Sequence, residues 1–95
     1  MKKCIVMHET DTVATALDAF SAEEEVRVLN AQMQEVDRLR IQEAIPFGHK
    51  VSLKVHEKGS CIFKYGQIIG KATREIESGH HAHIHNIISV YKLEG

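Results

Sequence analysis

The sequence predicts a mainly β domain of short strands with at most one or two short helices, and three observations predict it. Residues 50–55 alternate apolar and polar with the period of two expected of a half-buried strand, while residues 3–7 and 61–65 are short runs of β-branched and apolar side chains. Gly48, Gly59, Gly66, Gly70 and Gly79 recur at intervals of roughly ten residues, the turn spacing of an all-β chain. Residues 16–23, 52–59 and 72–79 align without gaps, each running from a small residue through Phe20, His56 or Ile76 to a turn three residues later. That pattern reads as a repeated strand-and-turn unit.

In chain order, residues 3–7 read as the first strand, with residues 8–11 as the turn after it. Residues 11–20 fit either a short helix capped by Asp11 or Thr12, or an extended segment favoured by Val13, Thr15 and Phe20. Val26 and Val28 alternate with Arg27 and Leu29, which suggests a strand. Residues 30–44 support two readings. Met33, Val36 and Leu39 recur near helical spacing among good helix formers, yet residues 36–41 also suit a strand after a turn. Pro46 keeps Ile45 extended and separates this region from the glycine-rich half, where residues 50–55 and 61–65 supply further strands. With no linker and no low-complexity stretch, residues 1–95 are expected to form one domain.

Composition excludes several functional classes. A hydrophobic fraction of 43% and a charged fraction of 26% are those of a globular chain. Twelve basic and thirteen acidic residues leave a net charge of −1, too little positive field to hold a nucleic-acid backbone. Apolar runs such as residues 4–7 fall far short of the roughly 20 residues that span a bilayer, so no membrane partner is expected and the chain reads as cytoplasmic. Cys4 and Cys61, far apart in sequence, fit two buried free thiols or one disulfide.

The seven histidines are the unusual part of the composition, and His80, His81, His83 and His85 fall in one short segment. As a strand, that segment places His81, His83 and His85 on one face, where imidazoles suit a metal such as zinc or iron. The bland reading is a solvated polar face. No cysteine lies close in sequence to complete a closed structural site, so a metal there, held by His83 and His85, would have an open side for another chain or a substrate. A second group, Gly48-His49-Lys50, sets a residue titrating near neutrality beside a cation, fit for acid/base work or carboxylate binding, or else a plain surface turn. A third, Lys64-Tyr65-Gly66, reads as a tight hairpin turn in which Lys64 offers an anion contact.

Taken together, residues 13–17, 45–51 (Ile45-Pro46-Phe47-Gly48-His49-Lys50-Val51), 64–72 and 81–86 (His81-Ala82-His83-Ile84-His85-Asn86) resemble the N-terminal domain of the altronate and galactarate dehydratases, a group that includes the small subunit of sulfolactate sulfo-lyase. The resemblance runs from about Lys3 to Asn86. It implies a SAF-type domain of the β-clip fold, completed by a large catalytic subunit into a lyase that eliminates water or sulfite from hydroxylated or sulfonated carboxylic acids. It implies His49 as acid or base, Lys50 as an anion clamp, and Lys64, Tyr65 and Gly66 as substrate contacts. It further implies a divalent metal shared with the partner chain, iron or otherwise zinc or manganese, at His83 and His85. The chain departs from the family pattern at Asp11-Thr12, where Asp-Asn is common, at Glu23, where a turn glycine is frequent, and at His56, where an aliphatic residue is usual. Met1 and an apolar tail over residues 87–93 favour a naturally short subunit, with homo-oligomers an option. The alternative functions are a non-catalytic binding or assembly module for an acidic sugar and, more weakly, a metal-carrying protein.

Overall fold

In the computed structural model, which describes residues 1–90, the chain is built almost wholly of strands. In order these are β1 (Lys3–Ile5), β2 (Val13–Ala16), β3 (Glu25–Leu29), β4 (Glu35–Arg40), β5 (Lys50–Ser52), β6 (Cys61–Lys64), β7 (Gln67–Ala72), β8 (His81–Ala82) and β9 (Ile87–Ser89). They form a six-stranded sheet in the order β4-β3-β1-β2-β5-β8 and a three-stranded sheet in the order β6-β7-β9. Residues 91–93 of the apolar tail lie outside the described residues.

Both ambiguous regions are extended. Residues 11–20 contain β2, whose Val13, Ala14 and Ala16 are buried between β1 and β5, a packing that a short capped helix does not provide. Residues 30–44 form no helix; residues 30–40 are the turn and second arm of a β3–β4 hairpin. The reason is local. The Asn30 carboxamide oxygen accepts from the Gln32 and Gln34 amides, the Met33 amide donates to the Asn30 carbonyl, and Met33 takes a positive φ of 63°. This Asx-nucleated turn outcompetes the helical propensity of the sequence around it. Burial of Val26 and Val28 then fixes the register, with Leu39 opposite Val26.

The repeated unit is real and has a fourth member, residues 41–48, in addition to residues 16–23, 52–59 and 72–79. The members pair two by two. Phe20 bridges Ile45 and His56 bridges Ile76, each bridge carrying two backbone hydrogen bonds of 2.8–3.0 Å. Around the first bridge, the Glu23 amide donates to the Ile41 carbonyl and the Gly48 amide to that of Ala16. Around the second, Gly59 donates to Ala72 and Gly79 to Ser52 in the same way. Each pair therefore has an approximate two-fold relation. The turn residue of every member has a positive φ, between 77° and 87°, at Glu23, Gly48, Gly59 and Gly79.

Phe20 and Ile45 sit in a core cluster with Cys4, Val26, Val28, Ile41 and Val51, whereas Ile76 joins Val13, Ile62, Ala72 and Ala82 in a second. His56, the fourth bridge residue, is equally buried at 2% exposure. Both cysteines are free. Burial pushes the Cys4 thiol up to about 12, so it is an inert core group.

Candidate functional site

The two pairs of repeats meet where β5 lies against β8, because the segment after Gly48 enters β5 and the segment after Gly79 enters β8. Their antiparallel register sets Val51 opposite His81 and Lys50 opposite Ala82, and one further step sets His83 across from His49. The face that carries Val51 thus ends in three imidazoles, His49, His81 and His83.

Their geometry is tight. His49 Nδ1 and His81 Nε2 lie 2.9 Å apart and share one hydrogen. Ring centroids are 5.1 Å apart for His49 and His81, 4.2 Å for His49 and His83, and 5.2 Å for His81 and His83. One ring nitrogen from each of the three lies within 4.8 Å of the others. The expectation of a histidine strand is corrected in one respect. The strand ends at Ala82, and residues 83–86 form a turn held by the buried Asn86, whose side chain accepts from the His83 amide at 2.8 Å and donates to the His81 carbonyl at 2.8 Å. In consequence His85 is exposed and tilted, with its ring 5.2 Å from that of His81 and outside the tight set, while His49 takes the place that alternation would have given it.

Electrostatics disfavour the charged form of two of these rings, His81 and His83. Partial burial, followed by the charges of His85, His49 and His83, lowers the His81 pKa below its ordinary value. Partial burial, then His49, Lys50 and His85, lowers that of His83. The neighbouring carboxylate is Glu43, whose Oε2 accepts from His80 Nδ1 at 2.9 Å and from the His81 amide at 3.1 Å. Desolvation alone would raise Glu43, but these two bonds outweigh it and hold the carboxyl below its usual range. Glu43 thereby fixes the backbone of β8 beneath the His81 ring. Nothing in the sequence marks it, since it lies 37 residues from His80.

Lys50 follows His49 in sequence yet serves a different surface. With His83 it lines an open groove of about 490 Å³ walled by Ile69, Ile84, Ile87 and Ile88. Burial first, and the charge of Lys64 second, lower its pKa, and no ion pair engages either lysine among the described residues. Lys50 on the six-stranded sheet and Lys64 on the three-stranded sheet are thus close enough for their charges to repel.

Lys64, Tyr65 and Gly66 form the expected β6–β7 turn, with Tyr65 and Gly66 both at positive φ (56° and 73°) and the Lys64 ammonium 5.0 Å from the Tyr65 ring. Its backbone amides are already engaged. Asp11, largely buried, accepts from the Tyr65 amide at 2.9 Å, the Gly66 amide at 2.8 Å and the His8 amide at 3.2 Å. A side chain on Gly66 would press on the His8 ring. Gly66 therefore shapes the turn, and the groups left to meet a ligand are the Lys64 ammonium and the Tyr65 side chain.

Comparison with known proteins adds to this geometry. A family model described as the altronate/galactarate dehydratase SAF domain matches residues 2–90. The chain is 31% identical over 86 residues to the altronate dehydratase of Bacillus subtilis strain 168, covering 90% of this chain and 16% of that protein. It is 35% identical over 82 residues to the altronate dehydratase of Escherichia coli K12, covering 86% of this chain and 15% of that protein. It is also 28% identical over 85 residues to subunit alpha of the (2R)-sulfolactate sulfo-lyase of Chromohalobacter salexigens, covering 86% of this chain and 89% of that subunit. The chain is thus similar to a small fraction of the first two proteins and to most of the third.

Proposed function

The chain belongs to the altronate/galactarate dehydratase SAF domain family, and on that premise we propose that it is the small subunit or N-terminal domain of a hydroxy-acid lyase. A large catalytic chain completes the enzyme, and the reaction is β-elimination of water or sulfite from a hydroxylated or sulfonated carboxylic acid. One observation carries the reading: Lys50, in no ion pair among the described residues, lines one groove with His83, whose ring stacks on His49, which in turn is hydrogen-bonded to His81.

Elimination beside a carboxylate needs an anchor for the anion, a base for the α-proton and an acid for the departing oxygen. Lys50 and Lys64 supply the anchor. Two mutually repelling ammonium groups gain when a carboxylate or sulfonate sits between them, and the partial burial of Lys50 strengthens that contact. In the metal-free chain His49 and His81 share one ring hydrogen, which fits His49 as acid or base; where a metal engages both rings, the acid and base come from the large chain. A divalent metal shared with the partner chain, iron or otherwise zinc or manganese, would polarise the substrate's carboxylate and hydroxyl oxygens. Three imidazole nitrogens gathered on an exposed edge are a donor set that fits such an ion.

The test is co-expression with a large dehydratase-type chain from the same source, followed by elimination assays on a panel of sugar acids and sulfolactate. The complex should turn over one member of the panel that neither chain turns over alone. Lys50→Met and Lys64→Met should each raise KM about tenfold or more, the loss of one charge-assisted contact. Wild-type kinetics in the Lys50→Met, Lys64→Met double variant would overturn the assignment.

A further inference from the structure

The sequence pointed to His83 and His85 as metal ligands, but the register of β5 against β8 assembles a different set. We infer that the chain by itself binds one divalent transition-metal ion through His49, His81 and His83, with His85 outside the coordination sphere and the remaining positions open to oxygen donors from outside the chain. This inference deepens the lyase reading, which supplies the reason for such an ion, but its evidence is the geometry of this chain.

Three distances support the assignment. Where ions sit about 2.0–2.1 Å from imidazole nitrogen in a tetrahedral arrangement, two ligand nitrogens lie roughly 3.3 Å apart and their ring centroids roughly 5 Å apart. The His49 and His81 nitrogens are 2.9 Å apart with centroids at 5.1 Å, and the His81 and His83 centroids are at 5.2 Å. On binding, the His49 and His83 centroids must separate by about 1 Å and the His49 and His81 nitrogens by a few tenths of an ångström, and the near-parallel rings (11–28°) must turn so that each plane contains the ion; His83, on a surface turn, is placed to make the largest of these moves. The hydrogen between His49 and His81 marks the place the ion takes. On binding, that hydrogen moves to the outer nitrogen of the same ring, so both imidazoles stay neutral and no net proton is released.

The site is also built from behind. Asn86 ties the His83 amide to the His81 carbonyl, Glu43 accepts from the His81 amide, and the His49 amide and carbonyl pair with Pro46 and Ala16, so all three ligands are carried on hydrogen-bonded backbone. Glu43 itself is committed to His80 and that amide, and no other carboxylate joins the cluster among the described residues. A three-histidine set brings no negative charge to a divalent ion. The open positions therefore suit anionic oxygen, whether the carboxylate of a substrate or that of a partner chain.

The experiment titrates the isolated 95-residue chain, freed of metal by chelation, with Co²⁺ followed by visible absorption and with Zn²⁺ followed by calorimetry. The expected result is one ion per chain, with ligand-field bands of a nitrogen-coordinated cobalt site that change when acetate or glycolate is added. His49→Ala, His81→Ala and His83→Ala should each weaken binding at least tenfold, whereas His85→Ala and His8→Ala should leave it within twofold. Circular dichroism and the thermal midpoint identify any variant that fails to fold, and for those His→Gln replaces Ala. The inference is overturned if the folded chain shows no saturable cobalt spectrum, or if His85→Ala weakens binding as much as His81→Ala while His49→Ala binds normally. Saturable binding with no elimination by the reconstituted complex would instead count against the lyase reading alone.

Discussion

Replacing His56 by leucine should make the protein both more stable and less sensitive to acid. His56 occupies the bridge position that Phe20, Ile45 and Ile76 fill in the other repeats, and it is as buried as they are. The Ser52 hydroxyl has one hydrogen, and it donates that to the Lys54 carbonyl at 2.6 Å; toward His56 Nδ1, at 2.8 Å, it must therefore accept. The hydrogen is then on Nδ1, and Nε2 is a bare lone pair buried without a hydrogen-bond partner. An unmade hydrogen bond of this kind costs about 1–3 kcal/mol, and leucine removes it while leaving the weaker loss of one acceptance at Ser52, so the net gain is about 1 kcal/mol. For a domain of this size that is roughly 4–8 °C in thermal midpoint at pH 7.5.

The pH dependence has a definite sign. Burial first, and the Lys54 charge second, depress the His56 pKa, opposed by its backbone contact with Lys54. Above about pH 6.5 the ring is neutral in both folded and unfolded chains and contributes no slope. Below it the unfolded chain takes up a proton that the folded chain refuses, so wild-type stability falls with pH down to the folded pKa, by at most about 1.4 kcal/mol for each pH unit. Urea unfolding of both proteins at pH 5.5, 6.5 and 7.5 measures this, and the difference between them cancels the titration of the other histidines. The stability gap should widen toward pH 5.5. A gap that is constant across the series, or a leucine variant less stable than wild type at pH 7.5, would refute the account of His56 as an unpartnered core base.

Five other substitutions test the packing and the exposed face. Glu23→Gly should stabilise by about 1 kcal/mol in urea unfolding, because Glu23 is the one non-glycine among four equivalent turn residues with positive φ, and it gives up only an exposed ion pair with Arg40. Gly79→Ala should lose more than about 2 kcal/mol, since its methyl would clash with the Arg40 carbonyl oxygen. Gly59→Ala, with open space around it, should cost only the backbone term of about 1 kcal/mol. Phe47→Asp and Ile84→Asp should leave the thermal midpoint of the lone chain within about 2 °C, because both side chains are largely exposed, at 69% and 86%. If a large chain docks over the histidine cluster, as proposed above, they should nevertheless abolish co-purification with it, because they flank His49 and His83 on hydrogen-bonded turns.

Much of this protein was legible in its sequence because the relevant signals are local. Period-two alternation and glycine spacing mark most of the strands, and three of the four repeats align by eye, since each needs the same bridge residue and the same left-handed turn. The fourth, residues 41–48, was hidden because Ile41 replaces the small residue that begins the others. The family was legible for the same reason, carried by contiguous blocks such as residues 45–51. Whether residues 30–44 formed a helix or a hairpin was not, because propensity there is balanced and the decision fell to Asn30 and to burial of Val26 and Val28.

The site divides along the same line. The sequence by itself identified the histidine-rich segment, the His49-Lys50 pair and the Lys64-Tyr65-Gly66 turn as places where chemistry could occur. Only the tertiary structure decided which of them lie together. It brought His49 across 32 residues to His81, turned the chain after Ala82 so that His85 left the group, directed Lys50 to the groove beside His83, and committed the Tyr65 and Gly66 amides to Asp11. Alternation along one strand says which side chains share a face, but the partner across the sheet is set by register, and register is fixed by what the whole domain buries.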